Sequence, residues 1–211
     1  MSGRDPSNLG ADSDDRTVRA RQDWDRMAAT YDRGAGLERL LTGDSRARLC
    51  ARAQGRTLEV AIGTGLNLGM YDAGVVLTGV DLSGGMLAVA ARRAAATGAR
   101  VGLVQADAQR LPFDGASFDS VVCTMALCAV PDQSAVVAEF HRVLRPGGRL
   151  LLLDHVEYAR VPMRWVERWR TRRHGRRRRP LDVVADAGFA IERHDPLRFG
   201  FVDWVVARRP S

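Results

Sequence analysis

The chain has 211 residues, 45% hydrophobic and 27% charged, which suits one domain with a full core and is ordinary for a soluble globular protein. Its formal net charge of +7 rests on arginine alone, because the sequence holds no lysine, and no apolar run approaches the ~20 residues that span a bilayer. The three cysteines, Cys50, Cys123 and Cys128, make no disulfide framework, and no Cys/His spacing suits a metal, so none is expected.

Residues 1–19 are polar and mixed in charge, unlike a signal or transit peptide. They read as a disordered tail of a cytoplasmic protein, ahead of one domain over 20–209. Residues 20–55 suggest helices over a sheet edge, with Trp24, Met27, Tyr31, Leu37, Leu40 and Leu41 at the apolar positions. Leu58 to Ile62 is a strand ended by Gly63, and Val75 to Val80 is a second ended by Asp81. Ser83 is placed to cap an Ala-rich helix that stops near Gly98. Val101 to Gln105 and Phe118 to Cys123 are the next strands. Asp132 or Ser134 opens a helix through Leu144, closed by Pro146, Gly147 and Gly148. Arg149 to His155 is a strand whose run of leucines implies burial on both faces. A short helix, Leu181 to Ala187, leads to a hairpin of Phe189 to His194 and Phe201 to Ala207, turning around Pro196. Strands alternating with helices indicate an α/β fold with a parallel sheet.

The segment from Leu58 to Gly65 runs a buried strand into a glycine turn, where backbone amides can face a ligand. A dinucleotide fingerprint would need a third glycine at Leu68, and a P-loop would need a lysine. A purely structural turn is the competing reading. Asp81, at a strand end, can accept hydrogen bonds from both hydroxyls of a ribose, or else cap the helix that Ser83 opens. Asp107, at the next strand end, can receive the exocyclic amine of adenine, or be a solvated loop acid.

In order, Leu58-Glu59-Val60-Ala61-Ile62-Gly63-Thr64-Gly65, Gly79-Val80-Asp81-Leu82-Ser83, Ala106-Asp107-Ala108, Phe118-Asp119-Ser120-Val121-Val122 and His141 to Gly148 resemble the class I S-adenosylmethionine-dependent methyltransferases. The resemblance covers residues 20–209. It implies a single Rossmann-like, doubly wound domain, with a seven-stranded, mostly parallel sheet and an antiparallel C-terminal strand. It implies S-adenosyl-L-methionine as cofactor. Glu59 would serve its ammonium end through a water or the backbone. Ala61, Gly63 and Gly65 would line it, Asp81 and Leu82 would meet the ribose, Asp107 and Ala108 the adenine, and Thr124 would lie beside it. The family usually has glycine where this chain has Ala61.

Methyl transfer from a sulfonium is chiefly a matter of positioning, and a base is needed only if the acceptor must lose a proton. Candidate acceptor-side residues are Tyr31, Asp32, Cys128, Asp154 and His155. Tyr31 and His155 are the candidate catalytic groups: Tyr31-Asp32 resembles the family's N-terminal lid, and His155 could deprotonate a hydroxyl or thiol. Their competing readings are a core aromatic and a histidine packed in the crevice wall, and Cys128 reads as a small apolar wall residue. The stretches Val121 to Val130 and Leu152 to Val156 look most like a branch that includes small-molecule thiol methyltransferases and phospholipid N-methyltransferases. The expected function is methylation of a small-molecule acceptor at O, S or N. A phospholipid N-methyltransferase at the membrane surface and a non-enzymatic binder are the alternatives.

Ten arginines lie between Arg160 and Arg179, around Trp165 and Trp169, in an insertion or lid over 160–180. Such a segment fits an acidic acceptor, an anionic membrane surface, RNA phosphates or plain solvent. Of these partners nucleic acid is the least expected. The arginines up to Arg179 read as an exposed loop ended by Pro180.

Overall fold

The computed structural model describes residues 7–33, 43–156, 178–197 and 201–211, with side chains in the first helix described from residue 15 onward. In chain order the elements are α1 (Ser7–Met27), α2 (Ser45–Cys50), β1 (Arg56–Val60), β2 (Val76–Asp81), α3 (Gly84–Thr97), β3 (Val101–Gln105), β4 (Phe118–Thr124), α4 (Gln133–Val143), β5 (Leu144–His155), α5 (Pro180–Asp186), β6 (Ala190–Leu197) and β7 (Val202–Arg208). They form one seven-stranded sheet in the order β3-β2-β1-β4-β5-β7-β6. Strands β1 to β5 pair in parallel, and β7 runs antiparallel to both β5 and β6. This is the expected mostly parallel sheet with one reversed C-terminal strand.

The sheet is buried on both faces, which is why its central strands are continuously apolar. Leu150 to Leu153 of β5 are fully buried and alternate between two cores. Leu150 and Leu152 pack with Phe140 of α4 and Val184 of α5. Leu151 and Leu153 pack with Leu49 of α2 and Trp204 of β7. Each such leucine contributes about 1.5–3 kcal/mol by burial.

Four features differ from the sequence reading. Helix α1 takes in residues 7–19 of the expected tail, and an Arg19–Asp15 pair one turn apart, at 2.5 Å, supports it. Met27 is 45% exposed instead of packed, while Leu37, Leu40 and Leu41 lie outside the described residues, as do Trp165 and Trp169. Pro146-Gly147-Gly148 does not precede the fifth strand but lies inside it, at an irregularity in the β4–β5 register between Phe118 and Ser120. Pro196 sits within β6 instead of in the turn, opposite Asp203. That strand is at the sheet edge, where the missing N–H costs no ladder bond. Of the two candidate caps of α4, Asp132 is used: its carboxylate accepts from the amides of Ser134 and Ala135. Ser83 caps α3 by accepting from Met86 N, as expected.

Candidate active site

The C-terminal ends of β1, β2, β3 and β4 frame an open cavity of about 790 Å³, counted to its open mouth, at the place where ligands bind in such sheets. The turn after β1 shapes its floor. Ala61, Gly63 and Gly65 adopt φ of 55°, 57° and 78°, so this turn passes through the left-handed region three times in five residues. The amide of Gly63 thereby donates to Asp81 Oδ2 at 2.8 Å, while Ser83 N donates to Asp81 Oδ1 at 2.9 Å. Asp81 thus fastens two strand-end turns to each other. Burial pushes its pKa up, and the bonds from Ser83 and Gly63 oppose that. Each carboxylate oxygen keeps a second lone pair for a ligand.

Ala61, Gly63, Asp81, Leu82, Asp107, Ala108 and Thr124 all line the cavity. Gly65 and Glu59 do not. A Cβ on Gly65 would come within 2.7 Å of Leu68 Cδ1, so this glycine lets the turn pack on its neighbours. Glu59 is 2% exposed, and both its oxygens are taken: Asn67 Nδ2 donates to one at 2.8 Å and Tyr71 OH to the other at 2.8 Å. Asn67 Nδ2 also reaches Thr124 Oγ1 at 2.9 Å, and Arg46 Nη1 donates to Thr124 Oγ1 at 2.6 Å and to Asn67 Oδ1 at 3.1 Å. Glu59 therefore touches the cavity only through Asn67 and Thr124. Burial, partly opposed by Tyr71, Asn67 and Arg46, pushes its pKa up to about 7.

Helix α1 and the turn after it close the other side with Ala20, Trp24 and Tyr31. Trp24 and Tyr31 meet edge to face, with centroids 6.0 Å apart. Asp25 accepts from Ser83 Oγ at 2.5 Å and from Gly85 N at 2.9 Å, so α1 helps cap α3. Asp32 accepts from Thr64 Oγ1 at 2.7 Å and pairs with Arg93 at 2.6 Å. It is a tether between the cover and the glycine turn, not an open acceptor-side group. Asp107 carries its own partner, Gln109, whose amide N–H lies 2.8 Å from Oδ1 and whose side chain also donates.

The remaining acceptor-side candidates meet beside the cavity. Ala126, which precedes the 3₁₀ turn carrying Cys128, and Ala129, the last residue of that turn, are in the cavity wall. Asp154 is fully buried, and its oxygens accept from Ala126 N at 3.1 Å, Cys128 N at 3.0 Å and His155 N at 2.6 Å. Burial pushes its pKa up. The side chain of His155 is 43% exposed, and its Nδ1 lies 3.8 Å from Cys128 Sγ. Cys128 is thus part of a polar cluster instead of an apolar wall.

Sequence reasoning missed Thr17, Ala20, Asp25, Asn67, Arg46 and Gln109. Thr17 and Asp25 lie in or beside the expected tail, and Arg46 and Asn67 matter only through side chains far from them in the chain. The end of the Arg-rich segment also differs from the exposed loop expected there. Arg179 makes a bidentate pair with the fully buried Asp203, at 2.8 and 2.9 Å, which His194 joins at 2.7 Å. Arg178 pairs with Asp186.

A parallel sheet whose strand ends surround a glycine turn, an acid after β2 and an acid after β3 defines a nucleoside-cofactor protein of the doubly wound type. Comparison with known proteins narrows this. Residues 58–152 match the family model described as "Methyltransferase domain". A phosphatidylethanolamine N-methyltransferase of Cereibacter sphaeroides is 39% identical over 116 residues, which is 54% of this chain and 57% of the relative. A demethylmenaquinone methyltransferase of Clavibacter sepedonicus is 34% identical over 151 residues, covering 69% and 60%. The solved structure of Haemonchus contortus phosphoethanolamine N-methyltransferase 2 with S-adenosyl-L-methionine has the same fold, with a TM-score of 0.70 at 20% identity over 91% of this chain and 60% of that one. Residues 58–152 thus carry a methyltransferase domain, and the relatives and the solved structure that resemble the chain are methyltransferases. The chain spans about half the length of the curated relatives it matches.

Proposed function

We propose that the protein transfers the methyl group of S-adenosyl-L-methionine to a small-molecule acceptor. The observation that carries this reading is Asp81. It is buried, lines an open cavity and is oriented by the amides of Gly63 and Ser83, and each of its oxygens can accept a further bond from a diol. The rest of the wall fits the same ligand. Asp107 and Ala108 suit an adenine edge, and the left-handed turn at Ala61 and Gly63 leaves bare backbone for an amino-acid end.

When bound, the cofactor supplies an already activated methyl group on a sulfonium. The residues of this chain then have three tasks. The glycine turn and Asp81 fix the cofactor's orientation, which is the main source of rate in such a displacement. Trp24 and Tyr31 cover the cavity and exclude water. Thr124, held by Arg46 and Asn67, keeps the β4 wall in register with the β1 turn. Tyr31 and His155 are the candidate groups for the acceptor, and His155 can take a proton from a hydroxyl or thiol.

A second reading, methylation of a phospholipid amine, is favoured by the name of the Cereibacter relative. Among the described residues no helix is long and apolar enough to cross a membrane, so that activity would work on a lipid surface. One experiment addresses both. The protein is incubated with methyl-labelled S-adenosylmethionine and a cell extract, and metabolites are separated from lipids. Label in the metabolite fraction supports the first reading and label in the lipid fraction the second. Asp81→Asn should weaken binding of S-adenosylhomocysteine about 10- to 100-fold, as expected for losing a hydrogen bond to a charged group. Unchanged binding in a folded variant would overturn the assignment.

A further inference from the structure

Asp154 and Asp203 stand directly opposite each other in the β5–β7 pairing, and both are fully buried. Their surroundings are unequal. Asp203 is neutralised by the bidentate Arg179 and by His194. Among the described residues the one ion-pair approach to Asp154 is His155 Nδ1, 3.9 Å from Oδ1. Among the described residues this buried carboxylate has amide bonds and the Cys128 thiol but no close cation, a costly arrangement, and Cys128 and His155 are what face it. The thiol, the imidazole and the carboxylate offer three ligand atoms that all lie within 4.8 Å of one another.

We propose that Cys128, Asp154 and His155 are a binding site for a divalent metal ion of borderline softness, of the zinc type. Sulfur, nitrogen and carboxylate oxygen together are the donor set such an ion takes. With bonds of about 2.3 Å to sulfur and about 2.0–2.1 Å to nitrogen and oxygen, ligand atoms in a tetrahedron lie about 3.3–3.6 Å apart. The 3.8 Å between Cys128 Sγ and His155 Nδ1 is already near that value. A separation of 4.8 Å must close by about 1.2–1.5 Å, a movement assigned to the half-exposed His155 side chain. The three amides on Asp154 hold its carboxylate as outer contacts hold metal ligands elsewhere. Three protein ligands leave one tetrahedral position for water or an acceptor atom, the pattern of catalytic rather than structural zinc. In that role, which rests on the methyl-transfer reading and has His155 hold the metal instead of serving as a base, an acceptor thiol or alcohol would bind there after losing its proton to water. The metal site itself does not rest on that reading.

The test uses the full chain, reduced and stripped of metal with a chelator, then titrated with cobalt(II) chloride and followed by absorption. One equivalent should bind, with the sulfur-to-cobalt charge-transfer band and the intense visible bands of four-coordinate cobalt, and zinc chloride should displace it. Cys128→Ser should lose the charge-transfer band, and His155→Gln should weaken binding at least ~10-fold. Wild-type protein that leaves cobalt with its pale aqueous spectrum overturns the proposal, as does an unaltered charge-transfer band in Cys128→Ser. Calorimetry with S-adenosylhomocysteine reads the other site independently. Cobalt binding without it supports the metal site while removing the methyl-transfer reading.

Discussion

Glu59→Gln is expected to make the protein more stable as the pH rises, relative to wild type. Glu59 is enclosed by Asn67 and Tyr71, and burial raises its pKa from 4.5 to about 7. The folded-state pKa lies above the unfolded one, so ionisation favours the unfolded chain. The stability Glu59 contributes is full below about pH 4.5 and is lost as the pH rises through about 7. At 1.36 kcal/mol per unit, this loss amounts to about 3 kcal/mol. Glutamine keeps the shape. Its oxygen can accept from Asn67, and its nitrogen can donate to the Tyr71 hydroxyl oxygen, so neither partner is stranded. Thermal unfolding of both proteins from about pH 4.5 to about pH 8 should therefore show the variant gaining about 3 kcal/mol on wild type. For a chain of this size that is roughly 6–12 °C in Tm. A difference that stays flat with pH would refute the reasoning. A variant that falls behind as the pH rises would mean that Glu59 is ionised and that Arg46 compensates it.

Arg179→Met should lower stability by about 3–5 kcal/mol at neutral pH, because it leaves the buried Asp203 with His194 alone. A loss below about 1 kcal/mol in chemical unfolding would show that the pair is worth no more than a surface bridge. Burial pushes the Asp203 pKa up, but Arg179 and His194 outweigh it and hold the group below its ordinary value. Its contribution is therefore present at neutral pH and lost as the pH falls through the lowered pKa. Ala61→Gly should raise stability by about 1 kcal/mol, since a left-handed alanine costs about 1–2 kcal/mol and glycine gives back about 0.4–1 kcal/mol in the unfolded chain. A fall in Tm would mean that the alanine methyl packs against the wall with more energy than the strain.

The cofactor side of the site was legible because its signals are local. A strand, a left-handed turn and an acid at the next strand end leave residues at fixed short spacings, and Gly63, Asp81 and Asp107 could be found that way. The strand count and the reversed β7 were legible for a similar reason: buried strands are largely apolar runs, and Phe201 to Ala207, broken only by Asp203, follows Phe189 to His194 closely enough for a hairpin. What failed was long-range. Whether Glu59 faces a ligand or a neighbour depends on Asn67 and Tyr71, which have no pattern of their own. Cys128 lies a 3₁₀ turn beyond β4, and it meets His155 only because β4 and β5 are paired in parallel with Thr124 beside Leu153. Arg179 looked like the last of a solvated arginine run, yet its partner is buried in a strand that follows it.

These two kinds of signal divide the cavity wall by its ability to move. The strand ends and their turns are fixed by the sheet ladder and by the buried Asp81 bridge, so they cannot open without unfolding the core. The opposite wall is α1, whose described residues are mostly exposed. It is fastened by a few hydrogen bonds, from Ser83 and Gly85 to Asp25 and from Gln109 to Thr17. Being few, such bonds can part on the timescale of ligand exchange. They attach to the turns after β2 and β3, next to Asp81 and Asp107. A ligand seated against those turns also packs on Ala20 and Trp24 and so adds contacts that α1 lacks without it. Occupancy of the cavity and closure of α1 are therefore expected to favour each other.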